Sequence, residues 1–194
     1  MTSGSLLAVG WIFFTLILAV GFYHLILWYI PIFITDFNLA RMKSSGRKTN
    51  VLLHGGLRNA DNCRIPRAIA DSMISSCIYD VSTYPLRINS FMPEDSYWSI
   101  SFYARNTVNF FVINDIEVKE KYGKEISIVL LNSKQRYESL ENEIAVKAPS
   151  KVGFILVRMM VTDTKDPESL KKVSGVQRKA YAEEIFLPPG EPQT

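Results

Sequence analysis

The chain has 194 residues, with 22 Lys and Arg against 19 Asp and Glu and a formal charge of +3. The charges are mixed in sign and form no long basic stripe of the kind that tracks a nucleic-acid backbone, so no nucleic acid is expected as a partner. With only two histidines, His24 and His54, a histidine-rich metal centre is excluded.

The first 35 residues carry no charged side chain, and Leu6 to Ile30 is an almost unbroken apolar run of 25 residues. As a helix the run covers about 37 Å, enough to cross a hydrocarbon core of about 30 Å with some tilt. A cleavable signal peptide would need a basic start, a shorter apolar stretch and a small-residue cleavage site. None of these is present, and Pro31 and Asp36 close the run, so a retained transmembrane anchor is expected. Trp11 lies near one end and Trp28 with Tyr29 near the other, where amphipathic rings favour the headgroup level. His24 lies inside the span. An intramembrane ionisable group is by default a functional hint, but close to Trp28 a neutral imidazole can instead bond a headgroup or water.

Every charged residue falls after the anchor, and Arg41, Lys43, Arg47 and Lys48 cluster just beyond it, where such groups touch anionic headgroups. By the positive-inside rule this cluster places the following domain in the cytoplasm. The organisation read from these signals is an anchor (1–37), a basic juxtamembrane linker (38–49), one domain (50–187) and a flexible tail (188–194).

Period two dominates the domain. Leu86 and Ile88 alternate with polar neighbours, as do Trp98, Ile100, Phe102 and Ala104; Ile126, Ile128 and Leu130 share a face, and so do Ile144, Val146 and Ala148. These patterns predict antiparallel sheets. Phe110–Ile113 and Phe154–Val161 are apolar on both faces, as central strands are, with Arg158 interrupting the second. A further short strand is expected at Val51–His54. Turn chemistry separates the strands at Tyr84–Pro85, Met92–Asp95, Lys121–Lys124 and Pro149–Gly153.

Two helices are predicted. Asp166-Pro167-Glu168 is a start signal, followed at helical spacing by Leu170, Val173, Val176 or Gln177, and Ala180. The other runs from Pro66 to about Ser76, with Ile69, Met73 and Cys77 one turn apart. The expected fold is α+β: a mainly β, antiparallel sandwich or barrel with peripheral helices, behind one transmembrane helix.

Three pieces in a fixed order carry a resemblance. They are an aromatic-Asp-aliphatic-Ser turn (Tyr79–Ser82) feeding a strand through Pro85, a Tyr-Trp-Ser-x-Ser-x-Tyr run at Tyr97–Tyr103, and a Phe-x-x-Asn-Asp end at Phe111–Asp115. With the late strand and its Asp-Pro-started helix, they make residues 50 to 179 resemble the family called domain of unknown function 1254. The resemblance implies a β-rich, exported or membrane-anchored bacterial protein. Longer relatives add a domain of unknown function 1214, and short anchored members pair with a separate chain that carries it. A two-chain assembly at the inner membrane, with this domain in the periplasm, is thus implied, against the positive-inside reading. The chain departs from longer members at residues 75–79, Ser-Ser-Cys-Ile-Tyr, where they carry Asn-x-Asp-Thr-x-Tyr, so no activity tied to that stretch is carried over.

The catalytic inventory is thin. His54, Cys63 and Cys77 lack zinc-ligand spacing, and Cys77 as a nucleophile with His54 as its base is disfavoured because Cys77 sits on an apolar face. No metal or cofactor is expected. Cys63 and Cys77 can form one disulfide in an exported domain, contributing about 3 kcal/mol, or remain two reduced thiols. Asp80, Asn114 and Asp115 sit at strand ends, where they can line a mouth between sheets or make ordinary turns. Tyr97 and Tyr103, on the exposed side of the Trp98–Ala104 strand, are candidates for a binding face. Three functions fit. One is a non-catalytic accessory subunit of an envelope complex, bound to the bilayer and to a second anchored chain of the 1214 type. The others are a module for a hydrophobic envelope molecule and a hydrolase with an unfamiliar Asp/Asn/Tyr site.

Overall fold

The computed structural model describes residues 3–58, 71–93, 96–138 and 140–186. The apolar run opens a single helix, α1 (Ser3–Ser44), about 63 Å long at 1.5 Å per residue. It passes through Pro31, which removes one intrahelical hydrogen bond, a loss that long apolar helices tolerate. Beyond it Leu39, Ala40, Arg41, Met42 and Lys43 are good helix formers, so the expected linker is helical as far as Ser44. Described side chains from Leu7 to Ile30 are exposed, and the helix is long and apolar enough to cross a membrane. Thr35 and Leu39, by contrast, are buried where the helix meets the domain.

The described strands form two sheets. The five-stranded sheet has the order β1-β2-β8-β4-β5, built from β1 (Leu53–Arg58), β2 (Ser72–Asp80), β8 (Val152–Met160), β4 (Trp98–Ala104) and β5 (Asn109–Asn114). The four-stranded sheet has the order β7-β6-β3-β9, from β7 (Glu143–Lys147), β6 (Glu125–Leu131), β3 (Leu86–Phe91) and β9 (Tyr181–Glu184). Among the described residues two short helices, α2 (Asp115–Lys121) and α3 (Pro167–Gln177), join the sheets in an α+β architecture.

Alternation places the core between the sheets. Trp98, Ile100 and Phe102 of β4 and Leu86, Ile88, Ile128 and Leu130 of β3 and β6 have no exposed surface, each contributing roughly 2 kcal/mol of burial. The Trp98 indole donates to Ser90 Oγ at 3.3 Å, so the largest core side chain also meets its polar requirement across the sheets. Gly153, opposite Ala104 and Tyr79, sits where a Cβ would lie far inside van der Waals contact with the Tyr103 carbonyl and the Tyr79 hydroxyl. Only glycine lets β8 pass between those two strands. The start of α3 is as the sequence predicts: Asp166 accepts from the Glu168 and Ser169 amides at 3.1 and 3.0 Å, Pro167 opens the helix, and Val173 is buried.

Several expectations are corrected. Of the predicted Pro66–Ser76 helix, residues 66–70 lie outside the described residues, while Ser72–Ser76 belong to β2, paired antiparallel with β8 from Ser72↔Met160 to Asp80↔Val152. A four-residue spacing such as Met73 to Cys77 satisfies period two as well as a helical turn, and the β-branched Ile74 and Ile78 on the opposite face favour the strand. The expected central strand at Phe110–Ile113 is instead β5, an edge strand, with Val112 53% exposed. β7 pairs with β6 in parallel, from Ser127↔Glu143 to Leu131↔Lys147, where the sequence predicts an antiparallel neighbour. The first strand begins at Leu53 rather than Val51 and carries an irregularity between His54 and Leu57. The short, charged β9 had no sequence signal.

Candidate functional site

The outer face of the five-stranded sheet and the C-terminal end of α1 enclose a groove of about 700 Å³. Its floor is Ile74 and Ile78 of β2 with Phe154 and Leu156 of β8, and Tyr103 of β4 stands beside them. These positions face outward because Met73, Cys77 and Tyr79, and Ile155, Val157 and Met159, take the alternate places in the core. Met42, Arg47 and Lys48 wall one end, and Arg58 and Arg158 line it further along. Because Ile78 pairs with Phe154 and Ile74 with Arg158, the floor runs along the strands for about 13 Å. No described lining residue is Asp or Glu. Arg158 Nε is buried without a hydrogen-bond partner.

Two contacts fix the end of α1 to the domain. Arg105, in the β4–β5 turn, donates through Nε to Asp36 Oδ1 at 2.7 Å and through a second nitrogen to Asp36 Oδ2, a bidentate pair. Asn50 adopts φ 60°, a left-handed conformation that asparagine tolerates better than most residues. Its side chain donates to the Asp80 carbonyl at 2.9 Å and to Glu184 at 2.6 Å and accepts from the Asp80 amide at 2.7 Å. Asn50 thus ties the segment after α1 to both sheets. Sequence reading missed it; the only signal was an asparagine between a basic stretch and an apolar run.

Of the sequence candidates, Tyr103 lies in the groove and Tyr97 does not; Tyr97 is half-exposed, and its carbonyl accepts from Met160 at 2.8 Å. Asp80 Oδ1 accepts from the Ser82 amide at 3.1 Å, a turn contact. Asn114 caps α2 through the Ile116 and Glu117 amides at 3.0 and 3.2 Å, and Asp115 Oδ1 is buried without a partner. The sheet keeps these residues apart: Asp80 pairs with Val152, while Asn114 pairs with Ser99, which faces Arg158. The intervening stretch of β8 is about 20 Å long, so Asp80 and Asn114 do not form one catalytic pair.

Burial pushes the Cys77 thiol up to about 12, only partly opposed by a hydrogen bond to the Asn50 backbone, which makes it a poor nucleophile and ligand. Cys63, and with it the Cys63–Cys77 disulfide, lies outside the described residues. The groups facing His54 are instead Ser75 Oγ, 2.9 Å from Nδ1, and the Ala180 backbone, which its ring also hydrogen-bonds. Gln177 donates to Ser75 Oγ at 3.0 Å and to the Gly55 carbonyl at 3.1 Å. Burial holds His54 below its ordinary 6.5; the Ala180 contact opposes this and the Arg178 charge adds to it. Ser75 has no exposed surface, so this Ser–His contact braces β1, β2 and α3 rather than presenting a nucleophile. Among the described residues no group of three His, Cys, Asp or Glu is placed to hold a metal ion.

Fold and groove together define a two-sheet β-domain carried behind a long apolar helix. The chain belongs to the family described as protein of unknown function (DUF1254), whose model matches residues 49–183. It is similar in fold to the VPA0106 protein from Vibrio parahaemolyticus, with a TM-score of 0.63 at 13% identity over 82% of this chain and 36% of that one. An uncharacterized protein from Burkholderia cenocepacia is also similar, with a TM-score of 0.49 at 12% identity over 89% of this chain and 44% of that one. The chain therefore spans less than half the length of either solved relative. No curated protein matches it.

Proposed function

We propose that the protein is a single-span, membrane-anchored accessory domain of a bacterial cell-envelope complex, held in the periplasm beside a second anchored chain carrying the complementary 1214-type domain. The observation that carries this reading is α1 itself. Its uncharged part, from Leu7 to Ile30, is exposed apolar surface, whereas its charged end is bolted to the domain through Asp36 and Arg105. An anchor continuous with a docked helix holds a domain at a set height above the bilayer, and two anchored partners in one membrane gain effective concentration without new contacts. The Vibrio protein, whose chain is much longer than the matched fold, supports a unit that works beside a further domain. The separation of Asp80 from Asn114 supports a non-catalytic role.

Alkaline carbonate washing should leave the chain in the membrane pellet, and alkaline phosphatase fused after residue 190 should be active. Release into the supernatant would defeat the anchor. An inactive phosphatase with a fluorescent cytoplasmic reporter at the same site would show that Arg41, Lys43, Arg47 and Lys48 set the orientation instead. Crosslinking in native membranes should recover one dominant partner; a monodisperse monomer would defeat the accessory role.

A further inference from the structure

We infer that the groove binds an anionic amphiphile, with its acyl chain laid over Ile74, Phe154 and Leu156 and its carboxylate or phosphate at Arg158. This goes beyond the accessory reading and requires no partner chain.

The groove joins two features that are unfavourable in water and that one ligand would satisfy together. Its floor is apolar side chains on a sheet face, and an acyl chain removes such surface from water. Arg158 Nε is a buried donor without an acceptor, and a carboxylate or phosphate can meet a guanidinium through paired hydrogen bonds. A neutral lipid would leave that donor unmet. An added peptide strand is a poorer fit, because backbone pairing needs a sheet edge, whereas the floor of this groove lies on the face of β2 and β8, each paired on both sides. The charge balance is one-sided: Arg47, Lys48, Arg58 and Arg158 line the groove, and no described Asp or Glu does. Its position also fits. Met42 forms part of the wall and lies about 18 Å along the same helix from Ile30, so the groove stands close above the lipid into which the apolar run would insert.

The test is photolabelling of the full chain, reconstituted in phosphatidylcholine, with a diazirine-bearing palmitic acid, followed by mapping of the adducts. Labels on α1 report insertion in the bilayer and test the anchor alone; labels on Phe154 and Leu156 report the groove. The groove labels should be competed by oleate or by lysophosphatidate, and much less by oleyl alcohol or inorganic phosphate. Competition by oleate alone would identify a fatty-acid carboxylate, and by lysophosphatidate alone a phosphate headgroup. Arg158→Gln should weaken groove labelling roughly tenfold or more. Leu156→Trp, which fills the floor from its outward side, should remove it while the α1 labels persist. Labels confined to α1, or groove labels unchanged by Arg158→Gln and competed equally by alcohol and acid, would overturn the inference.

Discussion

On the outer face of the four-stranded sheet, Arg87 is met by Glu143 at 2.9 Å, Glu183 at 3.1 Å and the Tyr137 hydroxyl at 3.0 Å, whereas on the outer face of the five-stranded sheet Arg158 Nε has no partner. The first cluster closes on itself. The Tyr137 hydroxyl donates to Glu143 at 2.7 Å, the Leu140 amide donates to the same carboxylate at 3.1 Å, and Val129, cross-strand from Arg87, is fully buried. It thereby holds β7, β3 and β9 to Tyr137 and Leu140 of the connection that precedes β7, with its polar groups satisfied at home. The groove on the other face is lined by cations and an apolar floor, and by no described acid. One face is closed by its own ion pairs, whereas the other keeps an open groove with an unpartnered arginine Nε.

The largest effect is expected from disrupting β8, the strand that supplies half the groove floor. Gly153→Ala forces a methyl into the Tyr103 carbonyl and the Tyr79 ring, and should cost about 3 kcal/mol in urea unfolding. The direct contrast comes next. Arg87→Ala leaves Glu143, whose side chain is 6% exposed, without its cation, and should cost about 2 kcal/mol. Arg158→Met removes an arginine whose Nε has no partner and should leave the unfolding midpoint unchanged or raise it slightly. Equal losses in both variants would erase the distinction between the faces.

Acidity should separate the same regions. Burial alone would raise the Glu143 carboxyl, but Tyr137, the Leu140 amide and Arg87 outweigh it and hold the group below its ordinary 4.5. Its stabilisation is therefore present above pH 4.5 and lost as pH falls through the lower folded value, and Arg87→Ala should weaken that loss. His54 is held below 6.5, so its folded form resists protonation, and stability should decline as pH falls below 6.5. His54→Gln should remove that upper window and leave the acidic one, as read by urea midpoints across pH. The smallest effect is expected at the anchor joint. Arg105→Gln breaks an exposed ion pair and should cost less than about 1 kcal/mol, while spin labels at positions 37 and 106 should show a broader distance distribution.

Much of this was legible in one dimension. The uncharged opening identified a helix able to span a membrane because length and apolarity are properties of a local run. Strict alternation in Trp98–Ala104 and Leu86–Ile88 identified strands and their core-facing sides, although Ser99 and Ser101 prove buried as well, and Asp166-Pro167 marked a helix start, because those signals act over a few neighbouring residues. Ser72–Ser76 reads as the end of a helix because four-residue spacing is common to both periods, and only pairing with β8 decides between them. Phe110–Ile113 looked central, but strand order is a long-range property, and the fold put it at an edge. The groove was illegible for the same reason. Its residues come from α1, the segment after it, β1, β2, β4 and β8, and Arg158 read alone was only an interruption in an apolar strand. Local patterns suffice to name the apolar helix and the core-facing sides of strands such as Trp98–Ala104; which arginine meets an acid, and which keeps an unpartnered Nε beside an apolar floor, depends on strand order rather than on neighbours in the chain.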